Sequence, residues 1–309
     1  MTTLRQLRFL VALDDTQNFS RASELCNVTQ STLSTGLKEL EARLGVQVAE
    51  RTKHSVLMTP TGRDLAERAR GILAQVQDFE ARAQKESNAG ATAVRMGMIP
   101  TVGPFLMPRA MPLLRKTLPE TKFYLREELT DGLVEGLMEG RLDLLLIALP
   151  HTLPAQIETD ILFADGYWLV TPTDHPLANR STIGADDLAD RHLLLLEKGH
   201  CLQRHALSSF SGINLDEDES FAATSLSTLV AMVEEDLGIT LLPKLAVDAG
   251  ISKGHKLHLN DVRGARPREV ALAWRRSSPS AALFRKIGAC LRNSRMELAQ
   301  ASVPSQKAM

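Results

Sequence analysis

Apolar positions recur through the first 60 residues with the period of an α-helix, interrupted at short intervals by polar residues suited to helix ends. Leu4, Leu7, Phe9, Leu10, Val11 and Leu13 fall mainly on one side of a first helix that ends near residues 14 to 18. Ser20 is placed to cap a short second helix over 21–26, with Glu24 in its early turns, where the helix dipole favours negative charge. After a break at Asn27 and Val28, Thr29 caps a third helix over 30–44 whose Leu33, Leu37, Leu40 and Leu44 form one stripe, and which stops at Gly45. Residues 46–59 read as two short strands with a basic tip. Two helices this short, joined by so short a turn, predict a winged helix-turn-helix whose second helix enters the DNA major groove by its N-terminal end.

The pattern then lengthens. Thr59 and Pro60 open a long helix in which Leu65, Ala69, Ile72, Val76, Phe79 and Ala83 follow a heptad seam that asks for a partner. A seam against the chain's own next domain is one solution. Pairing with a second copy is favoured, because a dimer then presents two reading helices to two half-sites. Residues 86–92 lose the pattern and read as a flexible joint. From there short apolar strands alternate with helical segments: strands at 94–99, 122–126 and 142–149, helices at about 105–115 and 131–139. This is the βαβ rhythm of a parallel sheet covered by helices.

Residues 161–170 read as one strand crossing into a second lobe made of 193–196, a short helix from Cys201, 221–224, a helix over 226–235, 238–242 and 256–259. A strand at 270–274 returns, a helix over 281–291 closes the domain, and 301–309 is a loose tail. The expected fold is α/β: a winged helix-turn-helix over 1–60, a dimerising linker helix and hinge over 61–92, and a two-lobed, periplasmic-binding-protein-like regulatory domain over 93–300. Lobe I takes about 93–163 and 268–300, lobe II about 164–267. A cleft belongs at the carboxyl ends of the strands, where Thr101, Thr130, His200 and Cys201 fall. Each threonine taken alone is as well explained as a helix cap.

Charge adds a constraint. A net charge of −1 over 309 residues gives no overall electrostatic signature, so nucleic-acid binding must rest on a local surface. The N-terminal end of the third helix displays Thr29, Gln30, Ser31, Thr32, Ser34 and Thr35, with Lys38 on the same polar side. Glutamine can pair with adenine and hydroxyls reach bases or phosphates, while Arg51, Lys53 and His54 at the strand tip would touch the backbone. An ordinary solvated polar face fits the periodicity equally well.

Three cysteines, Cys26, Cys201 and Cys290, stand far apart without metal-ligand spacing, which argues against a disulfide framework, a zinc site or any metal, and for a reducing compartment. No cofactor is implied. The first residues lack the pattern of a secretion signal, and no apolar run approaches the ~18 residues of a membrane span, so a cytoplasmic protein without membrane contact is expected. Cys201 follows the apolar run 193–196 at the start of a short helix, beside His200 and near Arg204 and His205. A helix N-terminus and neighbouring cations favour the reactive thiolate; a small buried residue at a strand end is the alternative.

The order of residues resembles a known family. Phe19-Ser20-Arg21-Ala22-Ser23-Glu24-Leu25, Val28-Thr29-Gln30-Ser31-Thr32-Leu33-Ser34, Leu37-Lys38-Glu39-Leu40-Glu41, Leu44-Gly45, Glu50-Arg51-Thr52 and Thr59-Pro60-Thr61-Gly62 are similar to the N-terminal signature of LysR-type transcriptional regulators. Cys26 matches a position usually buried in that family. Gly97-Met98-Ile99-Pro100-Thr101-Val102-Gly103-Pro104, Leu195-Leu196-Glu197-Lys198-Gly199-His200-Cys201-Leu202, Ala223-Thr224-Ser225-Leu226 and Gly238-Ile239-Thr240-Leu241-Leu242-Pro243 resemble its OxyR branch, which activates antioxidant genes on meeting hydrogen peroxide.

The resemblance covers nearly the whole chain, and it implies that Cys201 is the peroxide-attacking cysteine and that Thr101, Thr130, His200 and Arg268 line its pocket. It also implies promoter DNA as partner, a homotetramer built on linker-helix dimers, contact with RNA polymerase, and no enzymatic role. One departure matters: the branch carries a second, resolving cysteine nine residues after the first, where this chain has Phe210. A one-cysteine switch remains, or a small organic effector in the same cleft. A one-cysteine thiol peroxidase and a solute-binding transport component are the readings from other classes.

Overall fold

The computed structural model describes residues 1–51, 56–87, 92–178, 180, 183, 184, 187, 188, 193–197, 199, 200, 202, 217–262 and 264–302. They form two compact units, taken here in turn.

In the first unit α1 (Leu4–Thr16) opens with a capping box between Thr3 and Gln6. The short helix α2 (Phe19–Leu25) is capped by Asn18 rather than Ser20, because the Asn18 side chain reaches the N–H groups of both Ser20 and Arg21 and starts the helix two residues early. Ser20 Oγ instead lies 3.2 Å from Gln30 Oε1. Helix α3 (Gln30–Leu44) has Thr29 as N-cap and Gly45 in the left-handed conformation at its end, as its pattern predicts. Strands β1 (Ala49–Arg51) and β2 (Val56–Met58) pair antiparallel as the wing. Phe9, Leu10, Leu13, Ala22, Leu33, Leu37, Leu40, Val48 and Met58 form the core beneath.

Helix α4 (Pro60–Ser87) splits its heptad seam. Leu65 and Ala69 pack into the helix-turn-helix core, where α1 lies along α4, whereas Ile72 and Phe79 are exposed. The near half of the seam therefore serves its own domain, a correction to its reading as one continuous dimer stripe. Arg70 holds the same helix to α1 through Asp14, at 2.8 Å, and Asp15.

The second unit carries β3 (Thr92–Met98), α5 (Gly103–Thr117), β4 (Thr121–Glu127), α6 (Thr130–Met138), β5 (Leu144–Leu149) and β6 (Ile157–Asp165). It continues with β7 (Tyr167–Pro172), β8 (Leu193–Leu196), β9 (Glu217–Ala223), α7 (Leu226–Glu234), β10 (Thr240–Pro243), α8 (Lys244–Asp248), β11 (Leu257–Asp261), β12 (Arg268–Arg275) and α9 (Ala281–Ser302).

The first sheet has the order β4-β3-β5-β12-β6. Strand β3 runs parallel to β4 and β5, but β12 is antiparallel to both its neighbours, because it returns from the second lobe in the opposite sense. The sheet is parallel over β4-β3-β5, as the strand-helix rhythm predicts, and antiparallel at β12. The second lobe centres on an antiparallel sheet, β10-β7-β11, beside the parallel pair β8-β9. The single crossing strand expected over 161–170 is two strands broken at Gly166: β6 stays with β12, and β7 lies between β10 and β11. Helix α9 runs to Ser302, beyond the expected end, and residues 303–309 lie outside the described part.

A close approach fixes the start of α4. A Cβ at Gly62 would lie 2.0 Å from the Val48 carbonyl oxygen, a backbone atom that cannot swing away. Gly62→Val should destabilise the N-terminal unit by about 1–3 kcal/mol, the usual cost of overpacking, visible as a lower thermal midpoint for that unit by circular dichroism.

Candidate functional site

The polar end of α3 is organised by its cap. Thr29 Oγ1 accepts the Thr32 N–H and lies 2.9 Å from Ser31 Oγ and 2.8 Å from Thr32 Oγ1. Thr29, Gln30, Ser31, Thr35 and Lys38 are exposed; Thr32 and Ser34 are half-buried. Arg51 ends β1, and its side chain, like all of Lys53 and His54, lies outside the described residues.

The second cluster stands where the two lobes join. Arg268 opens β12 directly opposite Asp165, the last residue of β6, and both side chains are fully buried. Arg268 Nε and Nη2 donate to Asp165 Oδ2 at 3.1 and 2.9 Å. The other side of the guanidinium holds Thr101, in the turn between β3 and α5: Nη1 donates to its Oγ1 at 2.8 Å and Nη2 to its carbonyl at 3.0 Å. Asp165 Oδ1 accepts the Leu245 N–H from the first turn of α8 at 2.8 Å. Asp165 was not among the residues the sequence singled out. An acidic residue inside the apolar run 161–170, followed by glycine, was the available signal.

Thr130 is the first residue of α6; its side chain is buried and its Oγ1 has no hydrogen-bond partner among the described residues. A buried hydroxyl without a partner is costly, and so marks a place where a ligand or water would bond. Gly199 takes φ +111°, a conformation that L side chains rarely adopt, and a Cβ there would come within 3.1 Å of Leu129 Cδ1. The turn carrying His200 is thereby set against the residue preceding Thr130. His200 is 6% exposed. Burial pushes its imidazole below the ordinary value, opposed by the Glu197 carboxylate 3.9 Å away.

Cys201 and Phe210 lie outside the described residues; among the described ones a direct contact joins Thr101 to Arg268, and His200 precedes Cys201 in sequence. Of the other cysteines, burial raises the half-buried Cys26 thiol against the weaker pull of Arg8, and Cys290 is buried. Among the described residues no group of three or more His, Cys, Asp or Glu is arranged to hold a metal, and no helix is long and apolar enough to cross a membrane.

Because Glu197 raises what burial lowers, removing it should depress His200 further. Titration of the His200 ring by NMR is expected to give a midpoint below about 6.5 in the native chain and a lower one in Glu197→Gln. An imidazole that protonates more readily when unfolded makes the fold weaker as pH drops below about 6.5, a loss that His200→Gln should reduce.

Residues 4–63 match the family model described as the bacterial regulatory helix-turn-helix protein, lysR family, and residues 87–295 match the LysR substrate binding domain. The chain is 38% identical over 289 residues, covering 94% of each chain, to the DNA-binding transcriptional dual regulator OxyR of Escherichia coli K12. It is 36% identical over 280 residues, covering 90% of this chain and 92% of the other, to the HTH-type transcriptional regulator EstR of Acinetobacter baylyi. Among solved structures, a full-length OxyR cysteine variant from Pseudomonas aeruginosa superposes with a TM-score of 0.73 at 34% identity, covering 94% of this chain and 95% of that one. A hydrogen-peroxide-bound OxyR cysteine variant from Corynebacterium glutamicum does so with a TM-score of 0.62 at 26% identity, over 100% and 97%.

Proposed function

The chain belongs to the LysR family of bacterial helix-turn-helix transcriptional regulators, and from that premise we propose that it activates transcription in response to hydrogen peroxide through oxidation of Cys201. The observation that carries this reading is the set of buried polar groups where the two lobes join. Thr101 is held by a buried guanidinium, Thr130 carries an unpartnered buried hydroxyl, and His200, immediately before Cys201, is kept toward its neutral form. The thiolate attacks one peroxide oxygen, the hydroxyls hold the peroxide, and Arg268 steadies negative charge as the bond breaks. The product is a sulfenic acid. With Phe210 at the position of the resolving cysteine, the switch runs on one cysteine, as the sulfenic acid itself or as a mixed disulfide with a small thiol.

Under this reading residues 1–60 bind double-stranded promoter DNA through Thr29, Gln30, Ser31, Thr32, Ser34, Thr35, Lys38, Arg51 and Lys53. Residues 61–92 pair two copies, and the exposed Ile72 and Phe79 supply apolar surface for that pairing. Residues 93–300 form the sensing domain, whose altered lobes reposition paired reading heads within a cytoplasmic homotetramer that engages RNA polymerase. The relatives are named as regulators, so no enzymatic turnover is assigned. The match of residues 87–295 to the LysR substrate binding domain supports a second reading in which a small organic effector occupies the same cleft.

Intact-mass spectrometry after about one equivalent of peroxide, with a sulfenic-acid trap, separates the two readings. One trapped oxygen that disappears in Cys201→Ser supports the peroxide sensor; no Cys201-dependent adduct removes it in favour of the effector, and sustained peroxide turnover with a thiol reductant would indicate a peroxidase. On the DNA side, Gln30→Ala should weaken operator binding about 5- to 150-fold, the ~1–3 kcal/mol of one bidentate base contact, without changing the melting curve; unchanged affinity in a mobility-shift assay would take Gln30 off the reading surface.

A further inference from the structure

We infer that Ser20 is a positioning residue for DNA reading: its hydroxyl holds the Gln30 amide by the oxygen, so that Gln30 presents its NH2 donors to the major groove and reads a base edge that offers an acceptor. The inference deepens the assignment of Gln30 to the reading surface and rests on it.

A hydroxyl at the start of a short helix is ordinarily spent on capping. In α2 that work is done by Asn18, whose Oδ1 accepts the N–H groups of Ser20 and Arg21 at 2.9 and 3.1 Å. The Ser20 hydroxyl is thereby left to donate across the turn to Gln30 Oε1, 3.2 Å away. The two helices are held in a fixed relation. Ala22 and Leu33, one from each, are 0% exposed in a shared core. Between them Asn27 takes φ +52°, and the Val28 N–H donates to the Ser23 carbonyl at 3.0 Å. Ser23 Oγ in turn donates to the Ser20 carbonyl at 2.7 Å, which ties the residue that holds Gln30 to the turn itself.

Gln30 differs in this from its neighbours at the tip of α3. The hydroxyls of Thr29, Ser31 and Thr32 lie within hydrogen-bond distance of one another, whereas the Gln30 side chain is steered from the other helix. A glutamine amide has an acceptor at one end and two donors at the other. With the acceptor end drawn back toward α2, the donor end is the one left for DNA. In the major groove guanine N7 and O6, adenine N7 and thymine O4 accept, while cytosine offers only its amino donor. A side chain already held has also lost part of its freedom before DNA arrives, which lowers the entropic cost of the contact.

The test begins with duplexes selected from a random pool by the full native chain, among which Gln30→Ala shows which base position depends on Gln30. At that position the native chain is expected to disfavour cytosine by at least about fivefold, the lower end for a specific base contact. Ser20→Ala should cut that discrimination about two- to fivefold, the loss of one hydrogen bond, while preferences at the other positions and the melting curve stay as in the native chain. Ser20→Thr, which keeps the hydroxyl, should retain it. Full discrimination in Ser20→Ala, or a loss equal for every sequence as from a phosphate contact, would overturn the positioning role. Cytosine preferred at the Gln30-dependent position would overturn the donor polarity. If Gln30→Ala alters no base preference, the assignment of Gln30 to base reading fails instead, and the role of Ser20 falls with it.

Discussion

Two opposite charges placed out of reach of bulk water, Asp165 and Arg268, tie together four segments of the regulatory domain: the end of β6, the start of β12, the turn after β3 and the first turn of α8. An unpaired ion in that environment is untenable, and removing one partner of such a pair typically costs about 3–5 kcal/mol. The pair survives because it is bonded on every side: to Thr101 through the guanidinium and to the Leu245 N–H through the carboxylate. It lies between the last residue of β6 and the first of β12, where the chain passes between the lobes. Strand register, the turn after β3 and the start of α8 are therefore all referred to one ion pair.

A second charged contact acts further out. Arg295 on α9 lies 2.8 Å from Asp248 at the end of α8, which Lys244 also reaches at 3.2 Å. The two lobes are thus joined by ion pairs as well as by apolar packing such as that of Phe105 against the second lobe's core. Ion pairs of fixed geometry favour discrete arrangements over gradual deformation. Near that joint Thr130 keeps a buried hydroxyl with no hydrogen-bond partner among the described residues, and burial holds His200 toward its neutral form.

In the N-terminal unit the polar residues divide their work. Thr29 is committed to capping α3 and to the hydroxyls of Ser31 and Thr32, which leaves Gln30, Thr35 and Lys38 as exposed groups beside them. The cap thereby both starts the helix and arranges the hydroxyl cluster at its tip.

Periodicity and end signals made most elements legible in the sequence. The helices over 30–44 and from Pro60, the strand-helix alternation after residue 92 and the turn at Gly45 all depend on residues a few positions apart, which is the range over which side-chain pattern acts. Thr101, Thr130 and His200 were placed at a cleft by their positions at strand ends, whereas Arg268 came from the family resemblance alone. What tertiary structure alone decided is whatever depends on distant partners. Asn18 displaced Ser20 as a cap by the reach of one side chain, half of the α4 seam turned inward because α1 covers it, and β12 reversed the sheet because of the path it takes back. Asp165 reads in the sequence as one acidic residue in an apolar run; its role depends on an arginine 103 positions away, and no local pattern encodes a pairing that only the folded chain brings about.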